Sequence, residues 1–149
     1  MTHAYRATVS WSGSTGVGYD HYGRDHDSNG LPVSADPHFL GDPERLNPEV
    51  LLVMAAASCQ LLSFLAVCAR ARIDVVGYED DAEGVMPEDE KPHRITRIVL
   101  RPRVEVASDA PEERLHKLAQ LAHRECYIAN SLKSEVVVEP TFTRRRAGA

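Results

Sequence analysis

The stretch Asn47-Pro48-Glu49-Val50-Leu51-Leu52-Val53-Met54-Ala55-Ala56-Ala57-Ser58-Cys59-Gln60-Leu61-Leu62-Ser63-Phe64-Leu65-Ala66-Val67-Cys68-Ala69-Arg70 decides how the rest of the chain is read. From Val50 to Ala69 it carries no charge and only Ser58, Gln60 and Ser63 as polar breaks. Asn47 is a capping residue, Pro48 suits the first helical position, and Glu49 complements the positive end of the helix dipole. A helix from Pro48 to about Arg70 is therefore predicted. The run is also long enough for a membrane span, which needs about 20 apolar residues. Amphipathic strand patterns on both sides need a core, however, so a helix buried on all sides in a soluble protein explains more. One chain can hardly cover such a helix alone. The small run Ala55-Ala56-Ala57-Ser58 admits a second backbone at close range, which points to a homodimer with two copies of the helix packed together.

Upstream, Tyr5, Ala7, Val9 and Trp11 alternate with Arg6, Thr8 and Ser10, the period of a half-buried strand, and Ser12 to Gly16 reads as a turn into a second strand. Tyr19 to Asp42 is rich in His, Asp, Gly and Pro and reads as irregular structure with at most one short strand. Loops of that length often carry function. Downstream, a strand is expected over Ile73 to Val85, a hairpin at the acidic turn Pro87 to Pro92, and a strand from Arg94 to Val106 with Ile98, Leu100, Val104 and Val106 on one face. Ser108 or Asp109 caps a second helix, with Leu115, Leu118, Leu121 and Ala122 as its apolar stripe and its end near Cys126. Val136, Val138 and Phe142 mark a last strand. The order β-β-helix-β-β-helix-β is an α+β pattern without internal repeat, read as a single domain over residues 1–149.

At 149 residues and 43% hydrophobic, the chain has material for one compact core. Its net charge of −5 argues against nucleic acid or anionic membrane as a partner. No apolar leader follows Met1-Thr2-His3-Ala4-Tyr5-Arg6, so a cytoplasmic location is expected. The tail Arg144-Arg145-Arg146 reads as a solvated, frayed terminus. Three cysteines, Cys59, Cys68 and Cys126, are an odd number for a secreted disulfide framework, so any disulfide here is catalytic or regulatory.

Cys59 lies about three turns into the apolar helix, beyond reach of the dipole, where its neighbours raise its pKa. On composition alone it reads as a small hydrophobe. Cys68, nine residues on, points the opposite way at ~100° per residue and cannot pair with it. His116, His123 and Cys126 share a helical stripe and mimic a metal triad. With no Cys-x-x-Cys or His-Glu-x-x-His, no metal is expected. His21, His26 and Asp27 form a loose cluster that shapes a substrate site or is plain surface.

Two stretches of wording shift the reading of Cys59. Asn47-Pro48-Glu49-Val50-Leu51-Leu52 followed by Ala56-Ala57-Ser58-Cys59, and Cys126-Tyr127-Ile128-Ala129-Asn130-Ser131-Leu132-Lys133, resemble the two cysteine motifs of the OsmC/Ohr family in order and spacing. The likeness extends over nearly the whole chain. It implies an OsmC-like fold with antiparallel sheets around a long buried central helix, in an intertwined homodimer. It further implies a peroxiredoxin-like thiol peroxidase in which Cys59 attacks a hydroperoxide and Cys126 resolves the sulfenic acid. No cofactor is implied, and the reductant would be a dithiol of the lipoyl type.

A thiolate in an apolar helix needs a fixed cation, and arginine is the natural choice because it stays charged and donates hydrogen bonds. Gly23-Arg24-Asp25 resembles the Gly-Arg-Asp of the Ohr branch, which makes Arg24 the first candidate and Arg45 the reserve. The matching glutamate, Glu49, would orient the arginine through a carboxylate–guanidinium pair. Met54, Leu61, Leu62 and Phe64 are available to line a pocket for organic peroxides. The chain departs from the family at Tyr127, where Pro is often found, and at His26, where Gly is common. Two other readings stand beside this one: a non-catalytic small-molecule-binding or stress-structural protein of the same fold, and a small membrane-embedded subunit.

Overall fold

The computed structural model describes residues 1–145. The chain divides into two compact units, Met1–Leu51 and the remainder from Leu52.

The first unit holds a three-stranded antiparallel sheet in the order β1 (Val9–Ser10), β2 (His26–Ser28), β3 (Leu31–Val33). β2 and β3 join through Asn29 and Gly30 at φ 55° and 86°, the two positive values that a tight primed hairpin turn requires and that Asn-Gly tolerates. The loop expected to hold at most one short strand therefore holds two. The strand expected over Tyr5 to Trp11 shrinks to Val9–Ser10, and Tyr5, Val9 and Trp11 are all exposed. In place of the expected second strand there is a 3-10 turn at Thr15–Val17, closed by Ser14 Oγ accepting from Gly16 N. Gly41 has a steric reason: a Cβ there would lie 1.7 Å from the Ala35 carbonyl oxygen. As expected, Asn47 caps the long helix, its Oδ1 accepting from Val50 N at 2.9 Å.

That helix, α1, spans Pro48–Arg70. Ala56, Gln60, Phe64, Val67 and Cys68 form its buried stripe, while Val50, Met54, Ser58, Leu62, Leu65 and Ala69 are exposed. Burial on all sides thus does not occur within one chain; one stripe is covered and the opposite apolar face is open.

Six further strands follow: β4 (Val75–Asp80), β5 (Glu83–Val85), β6 (Arg97–Leu100), β7 (Pro102–Val106), β8 (Glu135–Val138) and β9 (Thr141–Arg144). They form two sheets, β4-β7-β9 and β5-β6-β8. Each of the three long strands read from the sequence is broken in the middle, and its halves go to different sheets. Pro140, without an N–H to continue a ladder, stands between β8 and β9. The sheets are mixed rather than antiparallel throughout: β4/β7 and β5/β6 are antiparallel, β7/β9 and β6/β8 parallel.

The second helix, α2, runs Glu112–Glu125 and buries Leu115, Ala119 and Ala122, with Leu118 and Leu121 partly covered. No side chain caps it; Ser108 Oγ instead accepts from Asp74 N at 2.7 Å. Phe64, Val67 and Cys68 of α1 join α2, Val104 and Val106 in one core cluster, and Ala56 joins Ile98, Leu100 and Val138 in another. This two-cluster core explains why α1 is long and apolar enough to span a membrane yet has a buried stripe. The basic tail is not frayed at Arg144 or Arg145. Arg144 closes β9 and donates to Ser108 O at 3.1 Å, and Arg145 Nε meets Glu105 Oε1 at 2.5 Å. Arg146 lies outside the described residues.

Candidate active site

Two side-chain hydrogen bonds fix the register between α1 and α2: Gln60 Nε2 donates to Ala119 O at 3.2 Å and Ser63 Oγ to Ala122 O at 2.7 Å. Cys59 stands beside them on α1, half-buried. At the end of α2, Cys126 N donates to His123 O at 3.2 Å, and the chain turns through a 3-10 segment at Ala129–Ser131. The turn brings the two cysteines together. Ile128 N donates to Cys59 Sγ and Ala129 N to Cys126 Sγ, both at 3.5 Å.

Cys126 is 2% exposed. Burial first, and then its hydrogen bond to Cys59, push its thiol up to about 11, against the opposing pull of the Ala129 and Ile128 N–H groups. Cys126 therefore keeps its proton at neutral pH. Cys68 is fully buried and likewise raised to about 11 by desolvation, which the Arg114 charge opposes.

Stability should depend on pH accordingly. The unfolded chain ionises these thiols near 9.0, whereas the folded chain holds them protonated to about 11. The folded state then binds more protons than the unfolded, so stability is full below pH 9 and declines between 9 and 11, each thiol contributing at most about 1.4 kcal/mol for every pH unit crossed. Urea midpoints measured across that window should fall, and fall less in Cys68→Ser. Midpoints that stay level or rise would contradict the assignment.

Arg24 is held differently from the expected glutamate pairing. Its guanidinium donates to the carbonyls of Tyr22 and Tyr19 and stacks on both rings, 3.6 Å from the Tyr22 centroid and 4.9 Å from that of Tyr19. Arg45 Nε pairs with Asp25 at 3.4 Å and Asp42 at 3.7 Å. Glu49 makes no ion pair among the described residues, and its Oε2 is buried without a hydrogen-bond partner. The carboxylate–guanidinium pair expected of Glu49 is thus not formed with either arginine.

The OsmC-like protein family matches residues 41–141, a span that includes both cysteines. The chain belongs to that family. An OsmC-like protein of unknown function from Vibrio cholerae is 31% identical in sequence, with a TM-score of 0.84 over 94% of this chain and 100% of that one. The uncharacterised protein YmaD of Bacillus subtilis is 25% identical over 141 residues, covering 92% of this chain and 91% of YmaD. A crystal structure of an organic hydroperoxide resistance protein OsmC from Legionella pneumophila shares the fold, with a TM-score of 0.64 at 14% identity over 95% of this chain and 99% of that one.

In this OsmC-like protein the residues expected to line a peroxide pocket separate. Met54 and Leu62 are exposed, at 46% and 65%, and Leu61 is half-buried. Phe64, 1% exposed, is instead a core residue, packed against Tyr78 and Phe142 at 6.0 and 6.2 Å between ring centroids. The reason is helical phase: five residues place Phe64 roughly 140° from Cys59. Leu62, three residues on, is the one member of the set that shares the Cys59 face.

His116 meets the Phe142 ring edge-on at 5.0 Å, and no group of metal-binding side chains forms among the described residues. His26 Nδ1 lies 2.8 Å from the Arg24 carbonyl, which ties it to the arginine's loop. Sequence reasoning missed the two turn amides, because a main-chain N–H carries no residue identity. It also missed Tyr78, whose buried hydroxyl has no hydrogen-bond partner among the described residues. Burial, and after it the charges of Asp80 and Cys126, push that phenol upward.

Proposed function

We propose that this OsmC-like protein is a cytoplasmic thiol peroxidase that reduces organic hydroperoxides through Cys59 and Cys126. The reading rests on the turn that carries Cys126: its Ile128 N–H reaches Cys59 Sγ at 3.5 Å, which sets the half-buried cysteine beside the buried one that keeps its proton. In the first step the Cys59 thiolate attacks the peroxide: an S–O bond forms, the O–O bond breaks, and the alkoxide leaves and takes up a proton as the alcohol. The peroxide is reduced by two electrons and Cys59 becomes a sulfenic acid. Cys126 then attacks that sulfur, the S–S bond forms, the S–O bond breaks, and the hydroxide departs with the thiol proton as water. A dithiol reductant, of which a lipoyl-bearing protein is the proposed class, returns the two electrons.

Arg24 is the proposed cation for the thiolate. It keeps its charge against two carbonyls and two rings with no carboxylate partner among the described residues, whereas Arg45 is already neutralised by Asp25 and Asp42. Glu49 is proposed to orient it, a role supported by its buried, unpartnered Oε2, since such an oxygen is costly unless a donor reaches it. The open face of α1, with Met54, Leu62 and Leu65 on it, is proposed to meet the same face of a second copy; contiguous exposed apolar surface marks an interaction site.

Thiol counting tests the redox reading. After anaerobic reduction and one equivalent of cumene hydroperoxide, the wild type should lose two thiols to an internal disulfide, and Cys126→Ser should stop at a trappable sulfenic acid on Cys59. If three free thiols persist, the non-catalytic reading of the same fold replaces this one.

A further inference from the structure

The turn that carries Cys126 also serves the other sulfur. The Ile128 N–H crosses from this turn to Cys59 on α1, 69 positions away in sequence, and donates to its Sγ at 3.5 Å. A bond from a main-chain amide to a sulfur anion is charge-assisted, and charge-assisted hydrogen bonds are roughly twice as strong as neutral ones. The donor is also fixed in place. Asn130 N donates to Cys126 O at 3.1 Å, Ser131 N to Ile128 O at 2.9 Å, Ser131 Oγ to Tyr127 O at 2.7 Å, and Asn130 Nδ2 to Arg124 O at 3.0 Å. Four bonds within a few residues hold the turn's shape, so the amide needs no reorganisation when charge appears on the sulfur. The next amide, Ala129 N, donates to Cys126 Sγ; the Ile128 amide, which also exerts a weaker pull on Cys126, is the turn's donor to Cys59.

We infer that the Ile128 main-chain amide is a thiolate-holding donor for Cys59, so that the turn delivering the resolving sulfur also sets the reactivity of the attacking one. The inference deepens the proposed peroxidase and rests on Cys59 being its nucleophile. The Ile128 side chain is not the agent; any residue with an N–H at this position serves, and only proline does not.

The test removes the N–H and keeps the side chain. The full-length protein is made with the α-hydroxy analogue of isoleucine at position 128, which turns the amide into an ester, and separately with the α-hydroxy analogue of alanine at position 129. The rate of Cys59 alkylation by iodoacetamide at neutral pH is followed by peptide mass spectrometry. Loss of a donor to the anion weakens it, so the ester at 128 should slow Cys59 alkylation at neutral pH about tenfold. The ester at 129 should slow it much less. Ile128→Ala, which keeps the N–H and shortens the side chain, should leave the rate in place. Equal slowing by the two esters, or slowing in Ile128→Ala as large as that of the ester at 128, would overturn the inference. Alkylation needs no peroxide turnover, so a protein that alkylates as expected but consumes no peroxide would fail the peroxidase reading alone.

Discussion

Cys59→Ser should abolish hydroperoxide consumption, lowering kcat/KM for cumene hydroperoxide by at least about a thousandfold in an assay driven by dihydrolipoamide. The thiolate is the group that forms the S–O bond, and a serine hydroxyl in the same apolar setting has no comparable anion at neutral pH. Cys68→Ser should leave the rate close to wild type, because that thiol is fully buried, pushed up to about 11 and turned away from Cys59. Arg24→Met should lose about ten- to a thousandfold, the range over which an opposite charge shifts a neighbouring ionisation. Arg45→Met should lose less, since Asp25 and Asp42 already occupy its charge. Should Cys59→Ser retain a tenth of the wild-type rate, the sulfur at 59 is not the nucleophile and the proposed cycle fails.

Leu62→Glu should turn a dimer into monomers. Leu62 is 65% exposed on the uncovered face of α1, between Ser58 and Leu65. If that face meets its own copy, a glutamate there must be desolvated against apolar neighbours or take up a proton, at an effective cost of about 3 kcal/mol. A two-fold interface suffers it twice. About 6 kcal/mol weakens a dissociation constant by ~10⁴-fold, enough to move a micromolar dimer out of reach. Sedimentation should report twice the chain mass for the wild type and the chain mass for the variant. A monomeric wild type, or a variant that stays dimeric, would remove the second copy from α1.

The most local features of this protein were legible in its residues. The cap at Asn47, the proline at the first helical turn and the uncharged run to Ala69 act within a few residues of themselves, and the helix found is Pro48–Arg70. The α2 stripe through Leu115 and Ala122 and the end of that helix beside Cys126 are of the same kind. The strands were legible as apolar alternation but not as partners. Alternation says which face is inside and is silent about where a strand breaks and which sheet each half joins, so the parallel pairs β6/β8 and β7/β9 went unread. The hairpin at Asn29-Gly30 lies in a stretch whose residues promise at most one short strand, because its two strands carry almost no apolar pattern.

For the candidate site, the sequence by itself determined the inventory: two cysteine motifs, an apolar helix around the first, and a choice of arginines. Only the tertiary structure decided the arrangement. It brought the Ile128 amide to Cys59, gave Cys126 its raised pKa through burial, moved Phe64 into the core, and left Arg45 paired with two aspartates while Arg24 stacks on tyrosine rings. The physical reason is range. Propensity, capping and periodicity act over a few residues of chain, whereas desolvation, charge pairing and a hydrogen bond across 69 positions exist only once distant segments are packed together.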